Sequence, residues 1–224
     1  MNIFTTKQKE QFMLHHPIEH LFSFSVAEHI EVHQFERGEW INNEGSFPEY
    51  LYWLITGRAK IYATEANGKI ALVNFAEPNV FIGEMELLND SYYSQGIQTT
   101  ALTTCYALPL KYFKEALLND VIFLRHLSRH LSDKAAKMSV RFSQAQSYPL
   151  ENRLADFILV SAHDGIYKEK HTEVSDYLGV SYRHLLFILA QFVQEEILIK
   201  EKRGYLIINE EALRVYAEPI QNGY

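Results

Sequence analysis

The sequence predicts an α+β chain in three parts: an N-terminal β-roll of the jelly-roll kind over residues 1–118, a long helix over 119–147, and a C-terminal winged helix-turn-helix over 148–224. Three observations predict it. Short apolar runs alternate with turn signals from about Ile30 to Leu110. An apolar repeat at steps of three and four runs without Gly or Pro from Asn119 to Gln146. Two short amphipathic segments joined at Gly179 then precede a basic hairpin.

The first part is an antiparallel β region. Gly38, Gly45, Pro48, Gly57, Gly68, Pro78, Gly83, Gly96 and Pro109 punctuate it at near-regular intervals, as in a compact roll or barrel. Its clearest hairpin runs from Gly57 to Phe75 about Asn67-Gly68, a pair that tolerates the positive φ angles of a two-residue turn. After Pro109 the period changes. Leu124, Leu127, Leu131, Ala135, Met138, Phe142 and Ala145 form a heptad-like seam flanked by Arg125, Arg129, Lys134, Lys137 and Arg141. Two readings are open, packing on the helix's own domain and self-association. A lone long helix leaves such a seam without a partner. This favours a dimer interface built from Leu124, Leu127, Leu131, Met138 and Phe142.

Ser147-Tyr148-Pro149 ends that helix, because proline lacks a donor and clashes with the preceding turn. A helix from Leu150 to Ala162 follows, with Leu150, Leu154, Phe157 and Ile158 on one face. Thr172 is then a candidate N-cap for a helix holding Val174, Tyr177 and Leu178, Gly179 suits the turn, and Ser181 caps a second helix with Leu185, Leu189 and Phe192 inward. In such a unit the start of the second helix faces the major groove. The candidate DNA-binding residues are therefore Ser181 and, pointing outward, Tyr182, Arg183 and His184, with Lys200, Lys202 and Arg203 on the following hairpin at phosphate height. The same motif used for protein contacts is the alternative.

Composition sets limits on this reading. With 47% hydrophobic and 22% charged residues, the chain can bury a substantial core. No apolar run approaches the roughly 20 residues of a membrane span, and the start lacks a signal peptide, so a cytoplasmic protein without membrane contact is expected. From position 150 onward there are eight Lys+Arg against twelve Asp+Glu, a net charge of −4 with His neutral. DNA binding must then come from a local basic face and not from overall charge. The single cysteine, Cys105, cannot supply the several thiolates of an iron–sulfur cluster and reads as a small strand core residue.

The residues also resemble a known family. Phe81-Ile-Gly83-Glu84-Met-Glu-Leu-Leu88 resembles the Phe-Gly-Glu-Leu turn of Crp/Fnr sensor domains, and Phe35-Glu-Arg-Gly38-Glu39 with Asn43-Glu44-Gly45 resembles their early strand-turn pattern. Tyr177-Leu-Gly-Val-Ser181 resembles their helix-turn-helix junction. Glu169-Lys-His-Thr172, Tyr177 to Gln191 and Gly204-Tyr-Leu-Ile207 are similar to the YeiL-type branch. The resemblance covers nearly the whole chain. It implies a cyclic-nucleotide-binding-like sensor domain, a dimerisation helix and a DNA-binding domain reading a palindrome, with Gly83, Glu84, Ser94 and Gln95 as the candidate effector-binding residues.

Two departures qualify what it implies. Members that bind cyclic AMP place an Arg-Ser pair ten residues after the Glu, where the guanidinium takes the phosphate; this chain has Ser94-Gln95 there, so cyclic AMP is not expected as effector. Where the family often reads its half-site with a Glu and, four residues on, an Arg, this chain has Arg183 and Phe187. The usual half-site is then not the expected target, and Phe187 is either packed inward or set against a thymine methyl.

His126 and His130 are spaced to share a helix face, and His29 and His33 would be if that segment were helical, but neither pair has an obvious third ligand, so no metal is expected. No nucleophile elbow, phosphate-cradling loop or paired catalytic carboxylates appear, and no catalytic residue or enzyme activity is expected. The expected partners are double-stranded DNA, a second copy of the chain, an unidentified small effector and, for an activator, RNA polymerase. A ligand-independent regulator with the same fold is the closest competitor.

Overall fold

The computed structural model describes residues 1–221; the last three positions of the expected C-terminal part lie outside them. Two compact units form, one from Met1 to Ala135 and one beginning at Ala136.

The first unit opens with β1 (Asn2–Ile3) and α1 (Thr6–His15), then β2 (Glu31–Phe35), β3 (Trp40–Asn42), β4 (Tyr50–Thr56), β5 (Ala59–Thr64), β6 (Ile70–Ala76) and β7 (Val80–Ile82). A short α2 (Glu84–Leu88) leads to β8 (Gly96–Thr99), β9 (Thr103–Pro109), α3 (Leu110–Asn119) and the start of α4 (Val121–Ser147). The strands form two antiparallel sheets, in the orders β1-β2-β9-β4-β7 and β3-β8-β5-β6. This is the expected roll.

Central strand β9 is buried along its whole length, so its alternate residues serve two cores. Cys105 and Ala107 join Phe35, Leu54, Ile61 and Ile97 in one, while Tyr106 and Leu108 join Leu51, Phe81, Phe113, Leu117, Phe123 and Leu127 in the other. Cys105 is thus a packing residue, and burial pushes its thiol pKa well above the usual range.

Two local expectations need correction here. The β5–β6 connection is not a two-residue turn: Gly68 N–H donates to Glu65 O at 2.8 Å and Glu65 N–H to Lys69 O at 2.8 Å, and only Gly68 takes a positive φ, +80°. The extra residue gives a turn with a bulge at the glycine, which fits the strand twist equally well. The long helix does not start at Asn119, which ends α3; extended Asp120 intervenes and caps α4, its carboxylate accepting from Ile122 N–H at 2.9 Å and Ser23 N–H at 2.7 Å. The condition for pairing His29 with His33 is not met, because the segment is not helical. His33 lies on β2, fully buried, with Nε2 2.7 Å from Glu31 and Nδ1 3.3 Å from the Tyr52 hydroxyl.

A third correction concerns the seam of α4. Leu127 is 1% exposed inside its own unit's core, with Leu124 and Leu131 packed against the same cluster. Phe123 anchors this end against Phe81 at 5.5 Å and Phe22 at 5.9 Å between ring centroids. A residue enclosed by its own domain cannot face a second copy, so Leu127 drops out of the dimer candidates. Met138 and Phe142, on the stretch belonging to the second unit, are 53% and 69% exposed.

In the second unit, α5 (Leu150–Ser161) has Leu150, Leu154, Phe157 and Ile158 buried, as its periodicity predicts. After β10 (Ile166–Tyr167) come α6 (His171–Tyr177), α7 (Tyr182–Gln194), β11 (Leu198–Glu201), β12 (Gly204–Ile207) and α8 (Glu210–Gln221). The strands make one sheet, β10-β12-β11. Thr172 is not the cap of α6. That place is taken by Lys170, and Thr172 sits inside the helix, its carbonyl accepting from Ser175 Oγ at 2.8 Å.

Candidate nucleic-acid interface

The α6–α7 junction is built by hydrogen bonds that glycine makes possible. Gly179, at φ +64°, donates its N–H to Asp176 O at 3.1 Å, and Val180 N–H reaches Ser175 O at 2.9 Å. These two bonds close α6 as a Schellman motif and redirect the chain. Ser181 then caps α7, its hydroxyl accepting from His184 N–H at 3.2 Å, so this side chain holds the helix start in place. Arg153 on α5 buttresses the turn, donating from Nη1 to Leu178 O at 2.7 Å and from Nε to Tyr148 O at 3.2 Å. Arg141 stacks over Tyr177 at 5.1 Å.

Helix α7 is two-faced. Leu185, Ile188, Leu189 and Phe192 are buried, while Tyr182, Arg183, His184, Phe187, Ala190 and Gln194 face solvent. Tyr182 to Gln194 contain no Asp or Glu. The outer face therefore presents one guanidinium, an imidazole and a phenol at its first turn with no carboxylate to repel a polyanion.

The hairpin β11–β12 turns at Lys202-Arg203, and Lys200, Lys202 and Arg203 are all exposed. Gly204 permits it: at φ +124°, a Cβ there would come within 2.2 Å of Tyr167 O on the neighbouring strand. His171 lies among Tyr167, Tyr205 and Tyr182 at 5.8–6.5 Å, and burial, with Lys200 nearby, lowers its pKa. It is accordingly held neutral at neutral pH.

The candidate effector residues occupy a different unit and serve different purposes. Gly83, at φ +92°, caps α2. Glu84 is 3% exposed, and its Oε1 takes Lys134 Nζ of α4 at 2.8 Å, with His130 Nε2 at 4.0 Å. Ser94 is buried with its hydroxyl unpartnered, whereas Gln95 is exposed. Ser94 and Gln95 carry no charge, so neither supplies a cation at these positions. Among the described residues no group of three or more His, Cys, Asp or Glu could hold a metal, and no helix is long and apolar enough to cross a membrane.

Sequence reasoning missed Lys134, Asp120 and Arg153, since each acts on a partner distant in the chain. Residue type alone leaves the exposure of Phe187 open, and the fold decides it at 65%.

The family model described as the cyclic nucleotide-binding domain matches residues 32–120. The chain is 45% identical over 192 residues to the regulatory protein YeiL of Escherichia coli O157:H7, spanning 86% of this chain and 88% of that one. Among solved structures, a transcriptional regulator of the Crp/Fnr family from Eubacterium rectale aligns at a TM-score of 0.74 with 14% identity, over 86% of this chain and 92% of that one. A CRP-family transcriptional regulator from Thermus thermophilus aligns at 0.68 with 19% identity, over 83% and 96%. At such identities these two likenesses speak for the fold.

Proposed function

This chain belongs to the family of the YeiL regulatory protein and shares the fold of Crp/Fnr transcription regulators, and from that membership we propose that it acts in the cytoplasm as a homodimer that inserts α7 into the major groove of a palindromic DNA site. The observation that carries the reading is the outer face of α7, free of carboxylates, with Arg183 and His184 at its first turn and the Lys200, Lys202 and Arg203 hairpin beside it in sequence. Arg183 reads a base edge, Tyr182 and His184 support it, and the hairpin cations neutralise phosphates. Ser181 contributes by fixing the helix start.

The division of labour is a sensor roll up to the end of α3, a dimerisation helix, α4, and a DNA-binding domain from residue 148 onward. The seam that pairs two copies runs along α4, with Met138 and Phe142 exposed on it and the partly buried Leu124 and Leu131 nearer its start. A two-fold dimer sets its reading helices about 34 Å apart, one turn of DNA. The sensor works without cyclic AMP, because Ser94-Gln95 offers no cation for a phosphate and Glu84 is already paired with Lys134. The chain is a regulator and not an enzyme; contact with RNA polymerase follows if it activates.

Selection of bound duplexes from a random pool tests the reading. Enrichment of a palindrome that Arg183→Ala reads less strictly, by about 10–100-fold at one position per half-site, is expected. Removing Lys202 and Arg203 lowers affinity uniformly across sequences and flattens the salt dependence by about one unit of slope per lost phosphate contact. No enrichment at low salt overturns it.

A further inference from the structure

Phe187 is the one large carbon-only side chain on the exposed face of α7, which otherwise carries Tyr182, Arg183, His184, Ala190 and Gln194. It lies one turn after Arg183 on α7 and is 65% exposed, while Leu185, Ile188 and Leu189 fill the inner positions of the same helix. Resting on the DNA-binding reading above, we propose that Phe187 is a specificity-determining residue that packs on the C5-methyl of a thymine in each half-site.

The occupant follows from chemistry. The helix bearing Phe187 has no Asp or Glu, and Arg183, His184, Lys200, Lys202 and Arg203 lie on its first turn or on the hairpin that follows it, so the surface suits a polyanion. In the major groove the edges of guanine, cytosine and adenine present only donors and acceptors, whereas thymine adds a methyl group. A phenyl ring pressed on a polar edge strips water from groups it cannot hydrogen-bond, and pressed on the methyl it removes apolar surface from water. Residues four apart on a helix are separated by about 6 Å along its axis, against about 3.4 Å per base pair. The thymine therefore lies within about two base pairs of the base that Arg183 reads.

The test is a methyl scan of the selected duplex. Each thymine is replaced in turn by deoxyuridine, which deletes the methyl and nothing else, and binding is measured for the full chain and for Phe187→Ala and Phe187→Leu. The expected result is one thymine per half-site at which the replacement weakens the unaltered protein about fourfold, and about fifteenfold when both half-sites are changed. Phe187→Ala abolishes that sensitivity, Phe187→Leu keeps part of it, and Arg183→Ala keeps it in full. Unaltered melting of the variants establishes that they fold. If the protein selects a site but no thymine shows a Phe187-dependent loss, this inference is overturned while the DNA-binding reading stands. If no site is selected, both fall together.

Discussion

Replacing Phe142 by alanine probes whether the exposed half of the α4 seam pairs two copies of the chain. Phe142 is 69% exposed, so of the ~200 Å² a phenylalanine can bury, about 140 Å² is free for a partner. At ~25 cal/mol per Å² this is about 3.5 kcal/mol per protomer, and about 7 kcal/mol for a two-fold pair that covers both rings fully. Alanine keeps its Cβ and the partner helix covers only part of each ring, which halves the loss to about 3.5 kcal/mol. The dimer dissociation constant should then rise by a factor of about 300. Sedimentation equilibrium over a range of concentrations measures it, with Val215→Ala, an apolar residue of α8 that is 64% exposed, as the control. The reasoning fails if Phe142→Ala associates within threefold of the unaltered protein, or if Val215→Ala weakens association as much.

Arg153→Leu removes the donors to Leu178 O and Tyr148 O and should destabilise the C-terminal unit by about 2 kcal/mol, lowering its melting transition by about 10 °C in calorimetry. Lys134→Met leaves the Glu84 carboxylate buried without its ammonium; since the Lys134 side chain is 30% exposed, the cost should be only about 1–2 kcal/mol in urea unfolding. Adding Glu84→Gln should return part of it, and strict additivity of the two changes would refute a direct pairing. Burial works to raise the pKa of Asp120, but bonds from the Ser23, Ile122 and Phe123 N–H groups and the Ser23 side chain outweigh it and hold the carboxyl below its usual range. A depressed folded-state pKa contributes stability that is present above the unfolded value of about 3.9 and lost as pH falls through the folded value. Asp120→Asn should therefore be less stable at pH 7 by about 1–2 kcal/mol, with the gap closing below about pH 4.

Much of the fold was legible in local pattern. The turn-punctuated region folds as a roll of two sheets because its strands are short and their apolar residues alternate, and α7 begins at Ser181 because a hydroxyl there satisfies an end-of-helix N–H. Where the structure differs from local pattern, several geometries satisfy the same residues. Asn67-Gly68 can close a two-residue turn or precede a bulge, and both Thr172 and Lys170 can precede a helix.

By itself the sequence determined the order of the parts, the inner faces of α5 and α7, and the placement of Arg183 and the hairpin cations outside. Only the tertiary structure decided what covers each apolar face. Periodicity along α4 marks one stripe from Leu124 to Ala145, yet Leu127 is sealed in its own core while Phe142 stands in solvent. Likewise Glu84 is held by Lys134, fifty positions away, and Phe187 is left outside. A helical repeat records which side chains avoid water; which surface receives them depends on contacts between residues far apart in the chain.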